Sequence, residues 1–195
     1  MPRQVQFDQE LALRRATLLF WKNGYQNTSL QDLLKVTGLG QGSFYNTLKS
    51  KKALYRACMD HYNQTVTKSR LDLFLSERSV KDGVRKYFDA VLDSFKNDEN
   101  PKGCLMANSL SADVTAEKDF RKYLADGYEY FEKIFADRFE EARTQGELPR
   151  DFETKLTAEL VVTFLQGLFR VSLLHKNPRR CGRQVNLFLQ YVRLS

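Results

Sequence analysis

Apolar residues recur at three- and four-residue steps through most of this 195-residue chain, which is the spacing of amphipathic helices. The longest such run extends from about Ala116 to Arg143, and Gly146 and Pro149 follow it as helix-ending residues. With three helices near the N-terminus, the pattern predicts an all-α protein of about nine helices. The other helices are expected at about Lys51 to Leu75, Val80 to Lys96, from Cys104, Asp151 to His175 and Pro178 to Leu194.

Two short helical patterns near the N-terminus are joined by a glycine-bearing turn. Ser29 and Asp32 have the spacing of a capping box, and the leucines that follow share one helix face. Gly38 permits the left-handed conformation in which the chain can leave this helix. The next helix begins near Gln41, packs Phe44 inward and leaves a face of small and polar residues free. This arrangement predicts a helix-turn-helix, whose second helix lies in the major groove of DNA.

Positive charge is concentrated in the same part of the chain. Residues 1–56 contain nine Lys or Arg and three Asp or Glu, a net charge of +6, whereas the whole chain carries +7. Lys49, Lys51 and Lys52 directly follow the second helix, where the phosphates that flank a groove would lie. A basic cluster alone often marks only a solvated surface. Together with the helix-turn-helix spacing, it favours a DNA-binding domain.

Four motifs carry a family resemblance: Phe20-Trp21-Lys22-Asn23-Gly24-Tyr25, Thr28-Ser29, Gly42-Ser43-Phe44-Tyr45 and Leu48-Lys49-Ser50-Lys51-Lys52-Ala53-Leu54. The stretch from Ala12 to Tyr62 that contains them resembles the DNA-binding domain of the TetR family of bacterial transcriptional regulators. The resemblance implies a helix-turn-helix domain over residues 1–55. It also implies a helical effector-binding and dimerisation domain over residues 56–195.

The same resemblance implies which residues contact DNA. In that family a Thr at the start of the second helix, a Tyr of the recognition helix and a Lys opening the fourth helix contact phosphates. The matching residues here are Thr28, Tyr45 and Lys51. Polar neighbours on the recognition helix are then expected to read bases. The complete predicted DNA-binding set is Thr28, Gln41, Gly42, Ser43, Tyr45, Asn46, Lys51 and Lys52, with Gln41, Ser43 and Asn46 as the base readers.

The last two predicted helices carry apolar stripes. In TetR-like proteins the corresponding pair forms a four-helix bundle with a second subunit, and the small Gly167 would allow close helix approach. The alternative is that these faces fill the core of a single chain. A two-fold dimer also suits a short recognition helix, because two copies can read a pseudo-palindromic operator on double-stranded DNA. The stripes contain Leu156, Leu160, Val161, Phe164, Leu165, Leu168, Val171, Leu187, Phe188, Tyr191 and Val192.

Aromatic residues in the larger domain could line a pocket for an unknown small-molecule effector, as they do in the family. For each residue taken singly, ordinary core packing is the simpler explanation. The sequence does not identify the ligand. The predicted pocket residues are Tyr87, Phe88, Val91, Phe95, Tyr123, Tyr128, Phe131, Phe164 and Phe169.

Three cysteines, an odd number, do not make a disulfide framework. Cys104 follows a loop at the predicted start of a helix, with Lys102 nearby, and both features stabilise a thiolate. The segment also resembles a TetR subgroup in which some members sense electrophiles or oxidants through the matching cysteine. Cys104 is therefore a candidate redox sensor, and the alternative is a packed core residue. Cys58 is expected to be structural, and Cys181 is expected to be an exposed thiol between helices.

Other functional classes find less support. The chain has two histidines, no Gly-rich phosphate loop, no Gly-x-Ser-x-Gly turn and no zinc-site spacing, so we expect neither an enzyme nor a cofactor or metal. No apolar run reaches the ~18 residues of a membrane span, and the start lacks the apolar core of a signal peptide, which predicts a cytoplasmic protein. The alternative to an operator-specific regulator is an architectural protein that coats DNA through phosphate contacts alone.

Overall fold

A computed structural model describes residues 8–96, 100–174 and 177–195. Its regular structure in these ranges is helical, which confirms the all-α prediction. None of the described helices combines the length and the apolar character needed to cross a membrane. The α-helices are α1 (Gln9–Asn23), α2 (Leu30–Thr37), α3 (Gln41–Leu48), α4 (Lys51–Tyr62), α5 (Lys68–Ser76), α6 (Val80–Ser94), α7 (Leu105–Asn108), α8 (Ala112–Ala116), α9 (Lys118–Thr144), α10 (Thr154–Ser172) and α11 (Pro178–Tyr191).

The N-terminal helices pack around large aromatic side chains. Trp21 of α1 is buried and meets Tyr62 of α4 edge-to-face, with ring centroids 4.9 Å apart. Phe20 of α1 meets Tyr55 of α4 in a similar manner at 4.8 Å. Aromatic rings bury large apolar areas, so these two contacts hold α1 and α4 together at the centre of the N-terminal unit. The shorter α2 packs on α1, and α3 packs on α4.

The predicted fourth helix is interrupted. Instead of one α-helix from Lys51 to Leu75, α4 and α5 are joined by a π-helical segment, Asn63–Thr67. Within this segment the Thr65 hydroxyl donates to the His61 carbonyl oxygen at 2.7 Å, a bond that competes with the regular α-helical ladder. Apolar periodicity does not reveal such a segment, because one wider turn leaves the helical pattern on both sides intact.

The chain divides into two compact units, one ending at Thr65 and the other beginning at Val66. The predicted boundary between residues 55 and 56 lies earlier in the chain. The second half of α4 belongs to the N-terminal unit because Tyr62 packs on Trp21 and Met59 is fully buried.

The C-terminal unit contains two closely packed helix pairs, α5 with α6 and α9 with α10. The helices of the first pair lie very close together at Gly83, since a Cβ there would overlap the Phe74 carbonyl oxygen. Phe74 also stacks on Phe135 of α9 with ring centroids 4.6 Å apart, which joins the two pairs. The short α8 and the separation of α5 from α4 bring the described ranges to eleven α-helices, where the pattern predicts about nine.

Glu147, in the turn after α9, caps the N-terminus of α6. Its carboxylate accepts hydrogen bonds from the Ser79 hydroxyl at 2.7 Å, the Val80 amide at 3.0 Å and the Lys81 amide at 3.3 Å. Burial acts to raise the pKa of Glu147, but these hydrogen bonds together outweigh burial and lower the pKa below its ordinary value. The negative charge also suits the positive end of the α6 dipole.

Glu147→Ala is expected to destabilise the protein by about 1–3 kcal/mol at neutral pH, because half-buried donors lose their acceptor. The sign of the pH dependence follows from the lowered pKa. A carboxyl whose pKa falls on folding adds stability above its unfolded pKa, and this contribution disappears as the pH falls through the folded pKa. Urea unfolding curves of the wild type and the variant should therefore converge in acid.

Asp126→Ala provides the control for this prediction. It removes an exposed ion pair with Lys122 on α9, which is worth about 0.5 kcal/mol or less. If Glu147→Ala cost no more than this control, or if its cost did not change with pH, the capping role of Glu147 would be wrong.

Candidate DNA interface and effector site

The turn between α2 and α3 has the geometry that its sequence predicts. The Ser29 hydroxyl accepts from the Asp32 amide at 3.1 Å, and the Asp32 carboxylate accepts from the Ser29 amide at 3.0 Å, which completes the capping box. Gly38 ends α2 in the left-handed region with φ of 72°, and its amide donates to the Leu34 carbonyl oxygen at 2.9 Å. Local hydrogen bonds therefore fix where α2 stops and where the chain turns toward α3.

The recognition helix α3 has one anchored face and one free face. Phe44 is fully buried and Leu48 is half-buried. Tyr45 is 48% exposed, and its ring meets the Phe44 ring edge-to-face at 5.6 Å. The other residues of this helix are exposed: Gln41, Gly42, Ser43, Asn46 and Thr47. The predicted DNA contacts of α3 thus share its solvent-facing side.

A tight turn connects α3 to α4. Lys49 is exposed and has a positive φ of 62°, and the Ser50 amide donates to the Leu48 carbonyl oxygen at 2.7 Å across it. Such a γ-turn is strained for a residue with a Cβ. The Ser50 side chain then caps α4. The turn therefore brings the lysines at the start of α4 directly after the recognition helix.

The predicted phosphate contacts differ in accessibility. Lys51 and Lys52 are half-buried, and the Lys51 ammonium lies 4.5 Å from the centroid of the Tyr25 ring. Thr28 is fully buried, and its hydroxyl donates to the Gly24 carbonyl oxygen at 2.7 Å. In this conformation Thr28 stabilises the turn before α2. Its contact with a phosphate stays a prediction.

Gly42 occupies a position where the protein itself does not require glycine. It is exposed within α3, and a Cβ added there would meet no heavy atom within 4 Å. An exposed glycine inside a helix costs about 1 kcal/mol relative to alanine. A close approach of DNA would account for glycine here, because a side chain would enter the space between α3 and the groove.

Gly42→Ala is therefore expected to raise the free energy of unfolding by up to about 1 kcal/mol and to weaken operator binding. Gly127→Ala is a matched control, since Gly127 is also exposed inside a helix with no atom within 4 Å of an added Cβ. It should stabilise the protein without changing DNA affinity. Thermal unfolding and fluorescence-anisotropy titrations measure both effects, and equal operator affinity in the two variants would argue against close approach at Gly42.

The predicted effector-pocket residues form two groups in the C-terminal unit. On α6, Tyr87 faces Phe131 of α9 at 6.1 Å, whereas Phe88 faces Phe164 of α10 at 5.9 Å. Phe164 in turn stacks on Phe188 of α11 at 4.1 Å. Because neighbouring helix positions point about 100° apart, Tyr87 and Phe88 meet different helices, while their own rings touch edge-to-face at 6.2 Å. The Phe88 group has the geometry of a core cluster, and its part in a pocket stays a prediction.

The first group, called the Tyr87 group, consists of Tyr87, Phe131, Tyr128, Phe169 and Arg70, and it contains polar side chains. The Tyr128 hydroxyl donates to Gln166 Oε1 at 2.8 Å. Phe169 of α10 is buried, and the Arg70 guanidinium lies 5.6 Å from its ring centroid. Arg70 is not among the pocket residues predicted from the sequence, although its position four residues before Phe74 puts a cation on the apolar side of α5. The remaining predicted pocket residues are buried or half-buried: Val91, Phe95 and Tyr123.

Cys104 is the N-cap residue of α7 and is 6% exposed. The ammonium of Lys102, which was expected to favour the thiolate, donates to the Phe95 carbonyl oxygen at 3.1 Å. Cys104 is thus a packed residue in this conformation, and its part in sensing stays a prediction. No cluster of three or more metal-ligating side chains occurs in the described part of the chain.

The other two cysteines are also free and buried. Burial raises the pKa of the Cys58 thiol to about 12, although a hydrogen bond with Thr17 acts in the opposite direction. The expectation that Cys181 is an exposed thiol is wrong, because it lies on the inner side of α11 and is 1% exposed. Burial also raises the pKa of Cys181, against the opposing charge of Arg180.

The apolar stripes of α10 and α11 are divided between core and surface. Their inner positions, such as Val161 and Leu165, are fully buried. Their outer positions remain exposed in the single chain: Leu156, Leu160, Leu187 and Tyr191. Gly167 is exposed beside them, and a Cβ added there would meet no atom within 4 Å. Exposed apolar surface of this kind is typical of a protein–protein interface.

Comparison with known sequences gives consistent matches for both units. Residues 12–58 match the family described as "Bacterial regulatory proteins, tetR family", and residues 81–188 match "Tetracyclin repressor-like, C-terminal domain". The HTH-type transcriptional repressor ComR of Escherichia coli (strain K12) is 30% identical over 163 residues, which cover 83% of this chain and 78% of ComR. The HTH-type transcriptional repressor NemR of the same strain is 28% identical over 108 residues, 54% of each chain.

A solved structure agrees with the whole fold. A cysteine mutant of the TetR family transcriptional regulator CifR, complexed with 26bp double-strand operator DNA, aligns with a TM-score of 0.88 and 26% identity. The alignment covers 96% of this chain and 98% of that chain. The helix-turn-helix, the helical second unit and the sequence matches lead to the same conclusion. The chain belongs to the TetR family: it is a DNA-binding transcriptional regulator that acts on double-stranded DNA as a homodimer, and it is not an enzyme.

Proposed function

We propose that this regulator is a repressor that binds a pseudo-palindromic operator and leaves it when an effector occupies the C-terminal unit. The observation that carries the proposal is the free polar face of α3, held in place by the buried Phe44. This face lies in a segment that has nearly all the net positive charge of the chain. Phosphate contacts then position the helix, and contacts to base edges specify the sequence.

Each α3 residue takes a role that suits its side chain. The amides of Gln41 and Asn46 can form paired hydrogen bonds with base edges in the major groove, and Ser43 can donate to or accept from a base. Tyr45, Lys51 and Lys52 bind phosphates. Thr28 supports the turn before α2 and contacts a phosphate once α2 meets the DNA backbone.

The dimer sets the distance between the two recognition helices. The exposed outer positions of α10 and α11 pack against the same positions of a second subunit, and Gly167 lets the helices approach closely. A two-fold arrangement places the two α3 helices about 34–36 Å apart, one turn of DNA, or a multiple of that distance. Binding is therefore sensitive to small changes in subunit geometry.

Effector binding changes this geometry through the helical stretch from Lys51 to Ser76. No loop interrupts this stretch, and its π-helical segment lies where the N-terminal unit ends. An effector releases DNA only if it binds one arrangement of the dimer more tightly than the other. The Tyr87 group, with Phe131 and Phe169 as apolar walls, is the place where we expect it to bind.

Cys104 provides a second route to release. Because it is packed, an adduct on its sulfur would not fit without moving α7 or its neighbours. The related regulator CifR is bound to operator DNA in the form of a cysteine mutant.

A regulator that acts on the genome is expected in the cytoplasm.

Selection of genomic fragments tests the repressor proposal. The purified protein is incubated with fragmented host DNA, bound fragments are sequenced, and the recovered site is titrated against random DNA over a range of salt concentrations. We expect an inverted repeat near a promoter that is preferred at every salt concentration. A preference that disappears as salt rises would instead indicate an architectural protein bound through phosphates.

Cys104→Ser is expected to abolish release of operator DNA by an alkylating electrophile such as N-ethylmaleimide. The substitution should leave the fold intact, because serine is a favoured N-cap residue. Cys181→Ser is the matched control, since Cys181 is also buried in the C-terminal unit. Anisotropy titrations with and without the reagent measure release. A Cys104→Ser variant that still releases DNA would exclude this cysteine as the sensor.

A further inference from the structure

Arg70 is a buried cation on the inner side of α5. It is 7% exposed, and it shares that side of the helix with the fully buried Phe74, one turn later. Taking a guanidinium out of water is costly unless an acceptor or a counter-charge compensates. A position of this kind in a helical core is normally apolar. The Arg70 charge therefore needs a hydrogen-bond acceptor or a negative charge close to it.

Within the described ranges, Arg70 has no hydrogen bond or ion pair with any other residue. The Arg70 guanidinium carbon lies 5.6 Å from the centroid of the Phe169 ring. Such a contact stabilises one face of the cation but satisfies none of its five N–H donors. By comparison, the half-buried Arg138 donates to the Glu77 and Arg78 carbonyl oxygens and pairs with Glu141.

Tyr87 is a second buried donor in the same region: its ring lies 5.5 Å from that of Phe135, which stacks on Phe74, one turn from Arg70 on α5. It is 2% exposed, and its hydroxyl makes no hydrogen bond with the described residues. Burial raises the pKa of Tyr87, and the Arg70 charge opposes this rise without reversing it, so the hydroxyl keeps its proton at neutral pH. The neighbouring Tyr128 differs, since its hydroxyl donates to Gln166 Oε1 at 2.8 Å.

The surroundings of these two donors are mainly aromatic, with the Cys104 thiol and the Tyr128 hydroxyl also close to Tyr87. Tyr87 lies 6.1 Å from Phe131 between ring centroids, and Phe169 lies 6.0 Å from Phe95. No carboxylate of the described residues pairs with the Arg70 cation. A ligand that fits must therefore bring an anionic acceptor for the guanidinium and the phenol, and an apolar body for the rings.

We propose that Arg70 and Tyr87 bind the carboxylate of a small organic acid, whose apolar part lies among Phe95, Phe131 and Phe169. The inference rests on the proposed effector response of this regulator and names the chemical class of the effector. Arg70 supplies a charge-assisted pair of hydrogen bonds, and Tyr87 donates a third. The cost of burying the cation is then recovered when the ligand binds.

Three isosteric probes separate charge from shape: benzoate, benzamide and benzamidine, which are anionic, neutral and cationic at neutral pH. Hexanoate and hexanamide repeat the comparison with an aliphatic body. Calorimetry and thermal-shift titrations are carried out on the full-length protein without DNA. We expect each carboxylate to bind about ten- to a hundredfold more tightly than its amide. Benzamidine and inorganic phosphate should bind more weakly than benzoate.

Arg70→Met is expected to bring the carboxylate-to-amide affinity ratio close to one, and Arg70→Lys should keep part of the preference. Tyr87→Phe should weaken the binding of benzoate about two- to tenfold. Arg121→Met, at an exposed position of α9, is the control and should retain the wild-type ratio. The ligand-free Arg70→Met protein should unfold at the same or a higher temperature than the wild type, because methionine removes the desolvation cost of an unpaired buried charge.

Several results would overturn the assignment. These are equal affinity for acid and amide in the wild type, no binding of either carboxylate, phosphate binding as tightly as benzoate, or an unchanged ratio in Arg70→Met. If Arg70→Met does not fold, the other two variants decide. An unchanged carboxylate-to-amide affinity ratio in both Arg70→Lys and Tyr87→Phe would overturn the carboxylate site. Because binding is measured without DNA, these failures leave operator recognition intact, and failed operator recognition leaves the ligand result standing.

Discussion

Leu160→Arg is expected to convert the regulator into monomers and to reduce operator affinity by about a thousandfold. Leu160 lies on the exposed stripe of α10, one turn from Leu156 and close in sequence to the exposed Gly167. An arginine from each subunit would be buried in the apolar interface proposed for α10 and α11, where an unpaired charge is strongly unfavourable. Without the dimer, the second half-site no longer benefits from the high effective concentration created by the first.

Analytical ultracentrifugation and binding to full and half operators test this expectation. The variant should bind a full operator no better than a half operator, whereas the wild type should bind the full operator far more tightly. Tyr130→Arg is the matched control, because Tyr130 is also a large exposed residue but belongs to α9. A Leu160→Arg protein that remains dimeric would place the subunit interface elsewhere.

The helix-turn-helix could be predicted from sequence because short-range interactions determine it. The Ser29 capping box and the left-handed Gly38 involve residues within one turn of each other, so their residue types reveal the geometry. The buried Phe44 follows from periodicity within one helix. For the same reason periodicity predicts the exposure of Gln41, Gly42, Ser43, Tyr45 and Asn46 on α3, while their contacts with DNA stay predictions.

Features that depend on tertiary packing could not be predicted in this way. The environments of Arg70 and Cys181 are set by helices distant in sequence, so a cationic neighbour or a loop-like context gives no reliable guide to burial. The division of the aromatic residues into two groups depends on which neighbour each side of α6 meets. The π-helical segment is local, but its Thr65 hydroxyl bond leaves the apolar pattern unchanged.

Tyr45→Ala is expected to reduce operator affinity without changing the dimer or the fold. The Tyr45 ring is half-exposed, and it packs only one edge against the buried Phe44, so its removal should alter the free energy of unfolding by no more than about 0.5 kcal/mol. A lost phosphate or base-edge contact costs about 1–3 kcal/mol per half-site. Because each dimer carries two copies, the loss for the whole operator is about 2–6 kcal/mol, or roughly thirtyfold to twenty-thousandfold in affinity.

Tyr45→Phe separates the hydroxyl from the ring. If the hydroxyl binds a phosphate, Tyr45→Phe and Tyr45→Ala should both weaken binding to operator DNA and to random DNA by the same factor. Phosphate contacts have no sequence preference. If the ring instead packs on a base, Tyr45→Phe should bind DNA as the wild type does. Tyr45→Ala should then lose affinity mainly for the operator and little for random DNA. Tyr130→Ala serves as the control for loss of an exposed tyrosine elsewhere. Operator affinity equal to that of the wild type in Tyr45→Ala would mean that α3 does not lie in the groove, because no docking of its exposed face could leave the central Tyr45 without contact.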